Sequence, residues 1–282
     1  MNQLDSDTRK LAEVVRGLAE LSENPEPDPE LLALFGVGRS RAAFTELFDF
    51  ELPPYTSFFL TRGPLLGGEP TERTREFLAT YVADLTTPAL CDHVGFLLSV
   101  LAAALDRDAL DFARAFLWEQ LAPIGPLYAC AARALGPPEY APWAEHLLAT
   151  LNSLAERLGV PSALPLHLRA APDLETPDDL DGLLELCLSP ALSGIVLTRR
   201  GILAAANRAE VPIRFGGRRF SFRSLLEADP REALALVRQS ATEQDRWRLG
   251  SAFAPVEHWW HERRSALLAR LAELEARPGS ER

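Results

Sequence analysis

The stretch ALCDHVGFLLSVLAAAL, residues Ala89 to Leu105, decides the fold. Val94, Phe96, Leu97, Leu98, Val100, Leu101 and Leu105 fall on every side of a helical wheel, with small Ala102, Ala103 and Ala104 between them. A helix that is apolar all round is buried on all sides or lies in a membrane. The run from Val94 to Leu105 is too short for a span, which needs about 20 apolar residues. It therefore reads as the central helix of an all-α protein. Asp92 and His93 sit in its first turn, where a carboxylate suits the free N–H groups and the positive end of the helix dipole.

Outward from this helix the pattern stays helical. Leu4 to Leu21 carries an apolar stripe at 3–4 spacing, and ENPEPDPE (Glu23 to Glu30) ends it with three prolines. Leu31 to Phe50 is helical again, with a bend at Gly36 and Gly38. ELPPYTSFFLTRGPLLGGEP (Glu51 to Pro70) is a long irregular connection rich in aromatics, and loops of that length in compact domains are often functional. Thr71 to Leu85, Arg107 to Leu121, Ile124 to Leu135 and Pro138 to Leu158 follow as helices. Residues 1–159 thus form one helical core, and the proline-rich 160–177 is a connection. Residues 178–282 form a C-terminal helical extension packed on the core. Within it, VPIRFGGRRFSF (Val211 to Phe222) alternates around Gly216–Gly217, so the expected class is all-α with at most one small β-hairpin.

The chain of 282 residues has a net charge of −11, unevenly spread. Residues 1–195 carry a net −16 and residues 196–282 a net +5. The first part should repel nucleic acid and anionic membranes and attract basic segments. Cys91, Cys130 and Cys187 stand in no CxxC spacing, which argues for a reducing compartment. The N-terminus has no apolar signal core, so a cytoplasmic location is expected.

Signatures of catalysis are missing: there is no GxSxG, HExxH or GxxxxGK[ST]. His258 and His261 share a helix face and could begin a metal site, but sequence supplies no third ligand nearby. Asp92–His93 suggests an acid–base pair, yet neighbours on a helix point about 100° apart and no nucleophile accompanies them. The run Arg199, Arg200, Arg208, Arg214, Arg218, Arg219 and Arg223, with its hairpin, could pass for a winged nucleic-acid reader. A solvated face paired with the acidic part explains it more simply.

One resemblance joins these features. Leu52-Pro53-Pro54-Tyr55-Thr56-Ser57-Phe58-Phe59-Leu60 is similar to the P-Y/W-x-S-x-Y/W-L segment of the TorD/DmsD/NarJ group of redox-enzyme maturation chaperones. Gly63 and Leu65-Leu66-Gly67-Gly68 follow at the expected distance. Asp92-His93 then heads a buried apolar helix, like the group's E-P-x-D-H signature, with Ala89 and Leu90 in place of Glu and Pro. Phe116 and Gln120 stand where many members carry His and Trp. The match runs from about Leu31 to Leu158, and the part after Val160 looks like an extension found in longer members.

The resemblance implies a single TorD-like helical bundle, a cytosolic chaperone and not an enzyme, with no cofactor of its own. Its partner would be the catalytic subunit of a molybdopterin oxidoreductase, bound through its twin-arginine signal peptide until the cofactor is inserted. A homodimer is compatible with this. The peptide-binding residues would be Tyr55, Ser57, Phe59, Leu60, Leu66, Asp92 and His93. A signal peptide has a basic start and an apolar middle, so its receptor needs apolar surface beside negative charge. Tyr55, Phe59, Leu60 and Leu66 could supply the first. Asp92 could accept from a guanidinium. On this reading Tyr55→Ala or Asp92→Ala weakens peptide binding while the fold survives.

Overall fold

The first helix, α1 (Gln3–Glu23), buries Val15, Leu18 and Leu21 of its apolar stripe together with Ala12, and leaves Leu11 and Val14 half-buried. That stripe lies along the central helix. The computed structural model describes residues 3–63, 66–81, 87–175, 177, 179–213 and 216–276. In chain order α2 (Pro29–Phe35), α3 (Arg41–Phe44), α4 (Thr56–Leu60), α5 (Glu69–Tyr81) and α6 (Val94–Asp106) follow α1. Then come α7 (Leu110–Phe116), α8 (Gly125–Leu135), α9 (Ala141–Leu158) and α10 (Leu166–Arg169). Wider π-helical turns extend α3 through Thr45–Glu51 and α7 through Leu117–Leu121. The chain divides into two compact units, and residues 1–61, 65–171 and 248–257 make up the first.

In this first unit α6 packs on α1 and α7, and α9 packs on α1, α7 and α8. The Trp143 indole of α9 donates to the Leu18 carbonyl at 3.0 Å, so a fully buried tryptophan also ties α9 to α1. Close approach at the top of α6 depends on Gly95. A Cβ there would overlap Glu23 Cγ and lie 2.6 Å from Ser22 Oγ at the end of α1. The bend expected near Gly36 is a full stop. Gly36 caps α2 at φ 64°, a left-handed conformation suited to glycine, and the chain restarts at Ser40, whose hydroxyl accepts from Ala43 N.

The central helix differs from its sequence reading in two ways. It starts at Val94, with His93 as its N-cap, and Ala89–His93 is a turn leading in. It is also not covered all round. Val94, Leu97, Leu98, Leu101 and Leu105 are buried, but Phe96, Ser99 and Val100 are half-buried and Ala103 is exposed.

The second unit comprises residues 62–64, 172–247 and 258–282. Its helices are α11 (Leu180–Leu188), α12 (Pro190–Ser193), α13 (Arg199–Arg208), α14 (Arg218–Ala228), α15 (Pro230–Gln244) and the part of α16 (Ala254–Ala276) from His258 onward. They enclose a core that includes Leu184, Ile195, Ile202, Phe222, Leu225, Val237 and Leu267. The expected hairpin does not form. Val211–Ile213 has no regular structure, Arg214 and Phe215 lie outside the described residues, and Arg218 already begins α14. Phe222, Leu225 and Leu226 recur at 3–4 spacing and are buried, so the helical period prevails over the short alternation before it. Among the described residues there is no strand, only one isolated antiparallel bridge between Tyr55 and His93. No described helix is long and apolar enough to cross a membrane.

The uneven covering of α6 is measurable in urea. Leu101→Ala, at a fully buried site, should cost about 2–5 kcal/mol of unfolding free energy. Val100→Ala, on the open side, should cost on the order of 1 kcal/mol. Equal costs would mean that the helix is covered on that side as well.

Candidate functional site

Tyr55 cannot cap α4: it precedes the helix without a side-chain hydrogen bond to it. The acceptor comes instead from 35 residues further on. Asp92 Oδ2 accepts from Ser57 N at 2.7 Å, and Asp92 Oδ1 accepts from the Thr71 hydroxyl at 2.7 Å. Two backbone bonds close the same junction, Thr56 N to Asp92 O at 3.0 Å and Val94 N to Pro54 O at 2.7 Å. Gly67 N donates to Ser57 Oγ at 3.0 Å, and Arg75 donates to Ala89 O at 2.7 Å. One buried carboxylate therefore holds α4, α5 and the entry to α6 together.

This geometry redistributes the residues expected to meet a peptide. Ser57, Phe59 and Asp92 are fully buried and Leu60 nearly so. Phe59 packs against Tyr128, whose hydroxyl donates to Leu52 O at 2.8 Å. Asp92 is not the N-cap of α6, and with both oxygens engaged inside the fold it presents no surface to an outside guanidinium. Tyr55 and His93 remain half-buried at the surface, and Leu66 is 47% exposed. Leu65 lies outside the described residues.

Tyr55 and His93 meet ring edge to face, with centroids 4.9 Å apart. His93 Nδ1 accepts from Gly95 N at 3.0 Å, which leaves Nε2 as the donor of the neutral ring. Burial pushes the His93 pKa down to about 4, and neighbouring Asp92 offsets only part of this. Glu23 Oε1 lies 3.8 Å from His93 Nδ1, and burial together with Glu20 raises the Glu23 carboxyl. The Tyr55 hydroxyl is raised by burial and then by the carboxylates of Asp92, Asp49 and Glu23. Two rings thus stand in a negative field set by groups on three segments. Glu23 and Asp49 were not legible as members of this site, because nothing in their local sequence marks them. Only the fold brings them to Tyr55.

A separate cavity of about 360 Å³ in the same unit is lined by Arg73, Phe77, Tyr81, Gln120, His167 and Arg169, among others. His167 is buried and its Nε2 lies 3.1 Å from Gln120 Oε1, to which the Thr74 hydroxyl also donates at 2.8 Å. Burial, then Arg73, pushes the His167 pKa down to about 3.

The other two sequence candidates find different uses. Arg219 and Arg223 pair with Asp181, Arg208 pairs with Glu232, and Arg199 and Arg218 donate to the carbonyls of Gly216, Leu197 and Leu188. These five arginines are thus engaged within their own unit, and the hairpin that a winged reader needs is missing where Arg218 begins α14. His258 lies 3.2 Å from Glu262, and His261 lies 2.5 Å from Asp245, which Arg264 also approaches. Among the described residues no group of three or more metal-ligating side chains comes together.

Two stability tests follow. Asp92→Ala strands the Ser57 N–H and the Thr71 hydroxyl, each worth about 1–3 kcal/mol when buried without a partner. The variant should unfold several degrees below the wild type, whereas Tyr55→Ala should not; equal melting would place Asp92 outside the framework. Both depressed histidines also make stability depend on pH. The unfolded chain takes up protons below about pH 6.5, and the native state does not until about pH 4 for His93 and about pH 3 for His167. Their contribution is therefore complete above about pH 6.5 and is lost as pH falls towards the folded values. Between pH 7 and pH 5 each should account for on the order of 1–2 kcal/mol. His93→Asn and His167→Gln together should flatten that loss in urea titrations, and an unchanged slope would refute the assignment.

Residues 4–127 match the family described as nitrate reductase delta subunit, which spans α1 to α7 and the whole Tyr55–Asp92–His93 junction. No curated protein and no solved structure matches the chain. Over residues 4–127, less than half of its length, the chain is thus similar to the nitrate reductase delta subunit family, which is of the NarJ/TorD type.

Proposed function

We propose that the chain is a cytoplasmic chaperone that binds the twin-arginine signal peptide of a molybdopterin oxidoreductase and holds that enzyme until its cofactor is inserted. The observation that carries this reading is the negative field around the half-buried Tyr55 and His93. A guanidinium that reaches this surface gains Coulomb attraction from Glu23 and Asp49 and a ring face at Tyr55. Neutral His93 adds no competing positive charge there at neutral pH. Asp92, Ser57, Phe59 and Leu60 serve by holding these groups in place, and exposed Leu66 adds apolar contact.

The roles separate in a binding assay with a labelled peptide that begins with an Arg-Arg pair. Glu23→Gln combined with Asp49→Asn removes two partly exposed charges, each worth up to about 1 kcal/mol, so affinity should fall about fivefold to thirtyfold. Replacing the pair by Gln-Gln in the peptide should have an effect of similar size, and the two losses should not add. Binding that ignores both changes would contradict the reading.

A further inference from the structure

The cavity of about 360 Å³ lined by Gln120 and His167 is within the size range of ligand pockets and has no role in the peptide contact proposed above. Arg73, Glu76, Phe77, Thr80 and Tyr81 follow one another at steps of three, one, three and one residues, which places them on a single face of α5. Leu166, His167 and Arg169 of the short α10 also line it, and Gln120 belongs to the π-helical turn that extends α7. Wider turns of this kind recur at functional sites.

The lining carries charges of both signs, and two of its four charged residues are already committed. Arg73 pairs with Glu69 at 2.7 Å, and Glu119 accepts from Leu166 N at 2.7 Å. Glu76 and Arg169 are exposed, and neither has an ion-pair partner among the described residues. Phe77 and Tyr81 share the same lining, with ring centroids 4.8 Å apart. The buried part of the wall adds an unmet acceptor. His167 Nε2 faces Gln120 Oε1, which also receives the Thr74 hydroxyl, so Nε2 carries the ring proton and Nδ1 is a bare lone pair. Nδ1 is buried and no hydrogen bond reaches it. Buried polar atoms seldom stay unpaired, and a ring kept neutral by burial does not fill the position with a proton of its own.

We propose that this cavity binds a free amino acid with an apolar or aromatic side chain, its carboxylate on Arg169, its ammonium on Glu76 and its side chain against Phe77 and Tyr81. An ammonium has three N–H donors, so one remains for the unmet acceptor of His167. The mixed lining selects for a zwitterion. A ligand with only a negative charge meets Glu76 and Glu119 without compensation, and a ligand with only a positive charge meets Arg73 and Arg169. The proposal does not rest on the peptide-binding reading.

Titration calorimetry of the whole chain with three probes tests it: L-phenylalanine, phenethylamine, which lacks the carboxylate, and phenylpropanoate, which lacks the ammonium. The wild type should bind phenylalanine about fivefold or more tightly than either analogue. Arg169→Gln should bring phenylalanine down to the affinity of phenethylamine and should not weaken phenethylamine itself. Glu76→Gln should bring it down to the affinity of phenylpropanoate and should not weaken phenylpropanoate. Both positions are exposed, so both variants should melt like the wild type, which separates lost binding from lost folding. No binding of phenylalanine, equal binding of the three probes, or an unchanged phenylalanine affinity in both variants would overturn the proposal. Displacement of phenylalanine by the Arg-Arg peptide would give the cavity to the peptide and overturn it as well.

Discussion

Asp92 is a carboxylate without exposed surface in a protein that carries a large excess of acids, and the junction depends on where its two oxygens point. One replaces the missing cap of α4, and the other reaches the first turn of α5. Hydrogen bonds from an amide and a hydroxyl can hold a buried anion, and they fix direction as well as distance. Because the carboxylate belongs to the turn that starts α6, α4 and α5 are held at the mouth of the most apolar helix. Tyr55 and His93 face each other there as a consequence.

The surface that results combines rigidity with charge. Both rings are held by backbone bonds on either side, so little ordering remains to be done when a ligand arrives. His93 stays neutral because its Nδ1 is committed to Gly95 and its ring is largely out of water. The negative field therefore comes from carboxylates at the edge of the rings. The central helix then extends away from this mouth with one side left open.

Much of the helical architecture was legible in the chain. The 3–4 stripe of α1, the proline stops and the apolar run of α6 all report burial patterns that packing then satisfies. The failures have physical causes. Residues 94–105 are apolar on every side, which suggested complete burial, but composition cannot tell a covered face from a groove. Gly216–Gly217 suggested a turn between strands, yet Phe222, Leu225 and Leu226 are buried at helical spacing in the core that holds Leu184 and Val237. Asp92 was legible as a special residue but not as an inward-facing one, because its partners Ser57 and Thr71 are 35 and 21 residues away. Glu23 and Asp49 join the site only through tertiary contact.

Amide hydrogen exchange with and without a twin-arginine peptide tests the central claim most directly, since it reads every segment of the folded chain at once. Peptide binding at the Tyr55–His93 junction should add protection at Leu52–Leu60 and at Asp92–Gly95, on both sides of the ring contact. Protection confined to the second unit, with exchange at those two segments unchanged by saturating peptide, would contradict it.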